Sequence, residues 1–233
     1  MASAHPAPVA PRWVPAVRLG LGFAIMGVLA FAFVATGERD GSNLFDFFGY
    51  FTNLTSLLTA LVLVGTGLSG LRGRPPLAAL VVARAVATAC LIVVAVVYNV
   101  LVPGTGSAPP WVSATLHAVV PALVLLDWIL NGDRRPLPWS RLWLVLPYPT
   151  VWITVVLVRG ATDGWVPYGF LLPERGALSL TLHVLGLLGA LLLAGALVWW
   201  ASRVRRGGIG RGGIHGAVPP RNVGVQAGST IED

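Results

Sequence analysis

Few side chains in this sequence could carry out chemistry. Cys90 is the only cysteine, which excludes an internal disulfide and a cysteine-ligated metal cluster. The sequence also lacks the G-x-S-x-G nucleophile elbow, the H-E-x-x-H zinc motif, the phosphate-binding P-loop and any cluster of carboxylates. What remains is a hydroxyl and an imidazole, those of Thr52 and His117. A neutral histidine is a suitable base to take the proton of a threonine nucleophile, and this chemistry needs no metal or cofactor.

Thr52 and His117 both lie in apolar segments of membrane-spanning length. Hydrophobic residues make up 55% of the 233 residues and charged residues 11%, against roughly a quarter charged in ordinary soluble domains. A bilayer core of about 30 Å needs about 20 apolar residues per helix. Six such runs are found, at 16–36, 48–68, 78–102, 113–130, 140–158 and 178–201. They are too long and too uniformly apolar for barrel strands, so the sequence predicts an all-α bundle of six transmembrane helices.

The two ends of the chain have a different composition from this helical domain, which we place at residues 12–202. Residues 1–11 are rich in Ala and Pro, and residues 203–233 are rich in Gly and Arg. Both segments are therefore predicted to be disordered. The first apolar run, which follows Arg12 and Arg18, also resembles a cleaved signal peptide. We favour a retained helix, because the run is long enough to span the membrane.

The distribution of arginines predicts the orientation of the bundle. A six-helix threading places twelve arginines on the side of the two termini and three on the other: Arg39, Arg159 and Arg175. By the positive-inside rule, both termini are cytoplasmic. The net charge of +7 and pI near 11 therefore reflect membrane topology, and no nucleic-acid partner is predicted. The basic residues other than histidine are all Arg, which is typical of GC-rich coding, so we expect a multi-pass protein of a bacterial cell membrane.

Depth within the bundle brings four polar residues to one level. Thr52 and His117 each lie about four residues into helices that enter from outside, or about 6 Å below the outer boundary. Asn99 and His183 reach nearly the same level from two further helices. Because polar groups in a membrane are costly, this layer is the candidate site. The interpretation is that Thr52 is a nucleophile and His117 its base, with Asn99 or His183 polarising a carbonyl group.

Two other groups of polar residues are expected to be structural. Arg84 in the third helix and Asp127 in the fourth reach a similar depth near the cytoplasmic side, where they are predicted to form an ion pair. Three hydroxyl residues lie on the same face of the second helix as Thr52 and are assigned to packing and hydrogen bonding within the bundle: Thr55, Ser56 and Thr59.

Three segments together resemble the androgen-inducible membrane protein family and its bacterial six-span relatives. They are Phe48-Gly-Tyr-Phe-Thr52-Asn-Leu-Thr55, Leu116-His117-Ala-Val-Val-Pro121 with Leu125-Leu-Asp127-Trp128, and Gly164-Trp165-Val-Pro-Tyr168-Gly-Phe170-Leu. Animal members of the family hydrolyse fatty acid esters of hydroxy fatty acids with an intramembrane Thr and His. The resemblance matches these two residues to Thr52 and His117, and it implies membrane lipids and a lipid ester as partners.

The sequence departs from the family at two points, and other functions stay open. Pro121 is one place closer to His117 than in the animal proteins, and the aromatic loop around Trp165 has a different order, so substrate and activity are not fixed by the resemblance. One alternative is a non-enzymatic membrane protein with a structural, transport or lipid-binding role. Another is a redox protein in which His117 and His183 ligate a single haem. The sequence gives no oligomeric state.

Overall fold

A computed structural model of the protein describes residues 11–40, 43–104 and 108–204. Six of its helices are long and apolar enough to cross a membrane, and no strand is present in these ranges, which confirms the all-α multi-pass fold. The segments predicted to be disordered, 1–11 and 203–233, lie outside the described residues except for residues 11, 203 and 204. Their disorder therefore stays a prediction.

The helices follow the predicted order, with one short helix added before the second span. Their bounds are α1 Trp13–Asp40, α2 Leu44–Gly49, α3 Phe51–Leu71, α4 Ala78–Leu101, α5 Pro110–Leu130, α6 Pro147–Thr162 and α7 Ala177–Ala201. A 3₁₀ turn at Trp139–Val145 leads into α6, so that this span covers Trp139–Thr162. The spans agree with the six predicted runs to within a few residues at each end.

The second span starts later than the sequence predicts because the chain is broken at Tyr50. This residue has extended backbone angles, with φ −70° and ψ 126°, so the run 48–68 is divided between α2 and α3. Asn43 caps the start of α2 by accepting a hydrogen bond from the Asp46 N–H at 2.9 Å. The break places Thr52 in the first turn of α3 instead of one turn inside a longer helix.

The bundle packs around two apolar clusters, and its outer surface is apolar as well. One cluster joins α4, α6 and α7 through residues such as Ala89 and Trp199, and the other joins α1, α3 and α5 through residues such as Ile25 and Leu63. Large apolar side chains remain exposed on the spanning helices, including Phe23, Leu61, Val155, Leu182 and Leu193. Such a surface suits lipid as the surrounding solvent.

Glycines allow α1 and α3 to approach closely. A Cβ atom added at Gly22 would lie 2.8 Å from the Ala60 carbonyl oxygen, and one added at Gly67 would lie 2.8 Å from the Pro15 carbonyl oxygen.

The bundle has two ends that differ in their side chains. We call the end that contains the start of α3 and of α5 the cavity end. We call the end that contains the start of α1 and the end of α5 the charged end.

Candidate active site

Thr52 is positioned by the break between α2 and α3. Trp152 of α6 donates its indole N–H to the Gly49 carbonyl at 2.8 Å, and the Asn53 side-chain amide donates to the Phe47 carbonyl at 2.8 Å. These two bonds satisfy carbonyls at the end of α2 that have no partner within the helix. They hold Thr52 as the second residue of α3, with its side chain buried in the bundle.

His117 lies in an irregular turn of α5. Residues Thr115–Val119 form a π-helical turn, and the N–H of Val120 bonds to the Thr115 carbonyl five residues earlier. Pro121 has no N–H to donate to the carbonyl of His117, four residues before it. The Asn99 side-chain amide from α4 donates to that freed carbonyl at 3.2 Å. Single π-helical turns are frequent at functional sites, and this one turns the His117 ring toward α3.

The side chains of Thr52 and His117 form a hydrogen-bonded pair. Thr52 Oγ1 and His117 Nε2 lie 3.2 Å apart, and His117 Nδ1 lies 2.9 Å from the Ser113 carbonyl oxygen. A carbonyl can only accept, so Nδ1 carries the ring proton. Nε2 is then the acceptor, and the Thr52 hydroxyl donates to it. The ring of Tyr98 stacks on the imidazole with centroids 3.5 Å apart and fixes its orientation further.

Tyr168, in the connection between α6 and α7, completes the polar contacts of Thr52. It lines the same cavity as Thr52, and its hydroxyl interacts with the Thr52 side chain and with the main chain of Thr52 and Phe51. Burial raises the pKa of Tyr168 to about 12, against the smaller opposing effect of Thr52 and Phe51. The phenol is therefore neutral at physiological pH and keeps its proton as a hydrogen-bond donor.

A cavity of about 450 Å³ opens beside this pair, and both Thr52 and His117 line it. Its wall toward the middle of the bundle is apolar and is formed by α4, α6 and α7, with Val93, Val94, Ile153, Leu187 and Leu191. Polar groups lie at the other side, among them Asp46 and Ser113. This lining suits an apolar ligand with one polar group, with the polar group next to the Thr52 hydroxyl.

The structure does not bring the other two predicted site residues to the cavity wall. The Asn99 amide is engaged by the carbonyls of Ala95, at 2.8 Å, and His117. His183 Nδ1 lies 2.8 Å from the Ser179 carbonyl, and its ring packs against Phe170 with centroids 5.7 Å apart. Neither residue lines the cavity. The haem alternative also loses support, because His183 is outside the cavity and both ring nitrogens of His117 already have partners.

At the charged end, Arg84 and Asp127 belong to a larger cluster than the predicted pair. Their closest atoms are 3.8 Å apart, whereas Arg84 lies 2.9 Å from Asp133 and Arg18 lies 2.9 Å from Asp127. Arg18 also pairs with Asp133. Burial would raise the pKa of Asp133, but the hydrogen bonds and charges of Arg18 and Arg84 outweigh it and hold the pKa well below its ordinary value. Asp133, which lies in the loop after α5, is not among the residues predicted from the sequence.

Comparisons of the chain with protein-family models, with curated proteins and with solved structures returned no match. The chemical capacity of the site therefore has to be inferred from its own residues. These are a hydroxyl donating to a correctly protonated imidazole, a neutral phenol in contact with that hydroxyl, and an apolar cavity next to all three.

Proposed function

We propose that this protein is an intramembrane hydrolase of lipid esters in which Thr52 is the nucleophile and His117 the general base. The observation that carries the proposal is the hydrogen bond between Thr52 Oγ1 and His117 Nε2, 3.2 Å long, with Nδ1 held by the Ser113 carbonyl. A nucleophile, a base and a third group that orients the base form the arrangement of known covalent hydrolases. Here the third group is a main-chain carbonyl instead of a carboxylate.

In the first half of the reaction, Thr52 Oγ1 attacks the carbonyl carbon of the ester while His117 Nε2 takes the hydroxyl proton. The tetrahedral intermediate then collapses, the bond to the alcohol oxygen breaks, and His117 returns the proton to that oxygen. The alcohol leaves and an acyl group remains on Thr52. The Ser113 carbonyl stabilises the imidazolium during this step, because its dipole faces the ring N–H.

In the second half, a water molecule attacks the acyl-threonine ester. His117 takes a proton from the water and returns it to Thr52 Oγ1 as the tetrahedral intermediate breaks. The products are a carboxylic acid and the free enzyme. No oxidant or metal takes part, so the proposed cycle uses only the ester, water and the two side chains.

The cavity supports a fatty acyl ester as the substrate class. Its apolar wall of α4, α6 and α7 residues suits an alkyl chain, and the exposed apolar surface of the bundle suits entry from the lipid. The resemblance to the androgen-inducible membrane protein family points to the same class, fatty acid esters of hydroxy fatty acids. We propose a multi-pass protein of a bacterial plasma membrane, with the cavity at the outer leaflet.

Turnover of a long-chain p-nitrophenyl ester by the purified protein tests this function. The parent should hydrolyse the ester, and Thr52→Ala should lose at least about a thousandfold in kcat, since it removes the nucleophile. Thr55→Ala is the matched control, because the Thr55 hydroxyl bonds to Tyr148 at 2.9 Å, away from His117. Equal rates for the parent and Thr52→Ala would overturn the proposal and favour a lipid-binding role without catalysis.

A further inference from the structure

We infer that Tyr168 donates the hydrogen bond that stabilises the oxyanion formed when Thr52 attacks an ester. The inference rests on the proposed function and names a catalytic residue outside the Thr52 and His117 pair. Attack on an ester moves negative charge onto the carbonyl oxygen, and donors aimed at that oxygen usually provide the largest single part of the rate enhancement. A hydrolase at this site therefore needs a donor close to Thr52 Oγ1.

Position makes Tyr168 that donor. In the tetrahedral intermediate, the oxyanion and Thr52 Oγ1 are bonded to the same carbon atom, so a group in contact with Oγ1 is within reach of the oxyanion. Tyr168 lines the same cavity as Thr52 and His117, and its hydroxyl interacts with the Thr52 side chain. Once Oγ1 becomes part of the ester bond, it accepts hydrogen bonds less well than the neighbouring oxyanion. The phenolic O–H of Tyr168 therefore needs only a small rotation to donate to the oxyanion.

The start of α3 also acts on the Tyr168 hydroxyl. The main-chain N–H groups of Phe51 and Thr52 interact with this hydroxyl, and Tyr168 lines the cavity that would hold the substrate. These N–H groups are in the first turn of α3, where they have no partner within the helix and where no side chain of the preceding residue caps them. Their partial positive charge polarises the phenol and strengthens it as a donor.

The two residues that the sequence indicated for this role are engaged elsewhere. The amide of Asn99 is divided between two main-chain carbonyls, and the ring of His183 is separated from the cavity by Phe170 and Tyr168, whose rings stack with centroids 5.3 Å apart. Tyr168 itself is held by aromatic neighbours, with the ring of Trp152 at 5.8 Å and that of Tyr50 at 5.9 Å. Its hydroxyl is therefore held in place before the substrate binds.

Replacement of Tyr168 by phenylalanine tests the inference, because it keeps the ring and removes only the hydroxyl. In the ester assay, Tyr168→Phe should lower kcat by about a hundredfold to a thousandfold and change KM by no more than about threefold. Tyr148→Phe is the matched control, since its hydroxyl bonds to Thr55 and not to Thr52. A Tyr168→Phe variant with the kcat of an active parent would overturn this inference alone. A parent without turnover would overturn the proposed function and the inference with it.

A second measurement uses the parent protein and so does not depend on the folding of Tyr168→Phe. A long-chain trifluoromethyl ketone forms a tetrahedral oxyanion with a nucleophilic hydroxyl. With ¹³C at the hydroxyl-bearing carbon of the four tyrosines, its addition should shift the Tyr168 resonance toward that of a phenolate, while the corresponding alcohol should not. Tyr50→Phe, Tyr98→Phe and Tyr148→Phe assign the other three signals. Formation of the adduct with no shift at Tyr168 would contradict the inference.

Discussion

At the scale of single residues, the protonation of His117 decides what the site can do. The Ser113 carbonyl fixes the proton on Nδ1 and leaves Nε2 as a base next to the Thr52 hydroxyl. The opposite tautomer would direct an N–H at Thr52 and could not accept its proton. The main-chain carbonyl of Ser113 therefore determines that the proton moves from Thr52 to His117. The stacked ring of Tyr98 limits rotation of the imidazole.

Asn99 is expected to position His117 without touching substrate. Asn99→Ala leaves the His117 carbonyl without its donor, since Pro121 cannot supply one. The loss of one such hydrogen bond costs about 0.5 to 1.5 kcal/mol, so kcat should fall by less than about tenfold and the midpoint of thermal unfolding should fall slightly. Thr115→Ala is the control, because its hydroxyl bonds only within α5 to the Trp111 carbonyl. A loss as large as that of Thr52→Ala would instead place Asn99 among the reacting groups.

The depth of a residue in the membrane predicts which side chains can reach one another, but it does not predict which of them are in contact. Thr52 and His117 were placed at one level from their positions in two helices, and the structure brings them into contact. His183 has the same depth, but its ring lies behind Phe170. Depth alone does not tell which face of a helix turns toward the cavity. The contact of Tyr168 could not be predicted, since a loop has no periodicity from which to read its direction.

At the scale of helices, the break at Tyr50 places Thr52 in the first turn of α3. A larger residue in place of Gly49 would displace Trp165, because an added Cβ atom would lie 2.3 Å from the Trp165 ring. Gly49→Ala should therefore displace the connection that carries Tyr168 and lower both kcat and the thermal midpoint. Gly27→Ala on the lipid-facing side of α1 is the matched control, since nothing lies within 4 Å of its added Cβ. Equal effects of the two substitutions on kcat would show that this junction does not support the site.

The length of the apolar runs predicts the six spans. The break and the irregular turn within these runs are seen only in the structure. About 20 apolar residues are required to cross a bilayer whatever their order, so existence and type of the helices follow from composition. The break at Tyr50 involves no proline or glycine at that residue and arises from contacts such as that of Trp152 with Gly49. Pro121 is a signal that α5 is irregular, but the π-helical turn and its amide donor depend on the position of α4.

At the scale of the whole molecule, a buried charge cluster connects α1, α4 and α5 at the charged end. Asp133 contacts both Arg18 and Arg84 and is 4% exposed, against 13% for Asp127. Removal of one partner from a buried pair typically costs about 3 to 5 kcal/mol. Asp133→Asn should therefore lower the thermal midpoint in detergent more than Asp127→Asn, with the exposed Asp163→Asn as control. A larger effect of Asp127→Asn would contradict this ranking.

Two further results should follow from the same cluster. The double exchange of Arg84→Asp with Asp127→Arg should not restore stability, because the new aspartate would face Asp133 and the new arginine would face Arg18. The folded-state pKa of Asp133 is depressed, so its contribution to stability is present above its ordinary pKa of 3.8 and is lost as the pH falls below that value. Asp133→Asn should therefore be less sensitive to acid than the parent. Rescue by the exchange would favour the simple pair that the sequence predicts.

The orientation of the molecule in the membrane is a prediction from its arginines. Reporter fusions after residues 105 and 170 should report from outside, and those after residues 72, 135 and 210 from inside. This orientation puts the cavity end in the outer leaflet, where the proposed substrate would enter. Two or more fusions reporting from the opposite side would invert the topology and move the site to the cytoplasmic leaflet.

The most direct test of the central claim is a covalent acyl group, or its analogue, on Thr52. Purified protein is treated with a long-chain alkyl fluorophosphonate, digested, and its peptides are analysed by mass spectrometry. We expect a single adduct on Thr52, retained in Thr52→Ser at serine and absent from His117→Gln, which lacks the base that activates the hydroxyl. Labelling of another residue, or no labelling of a protein that hydrolyses lipid esters, would contradict the role of Thr52 as nucleophile.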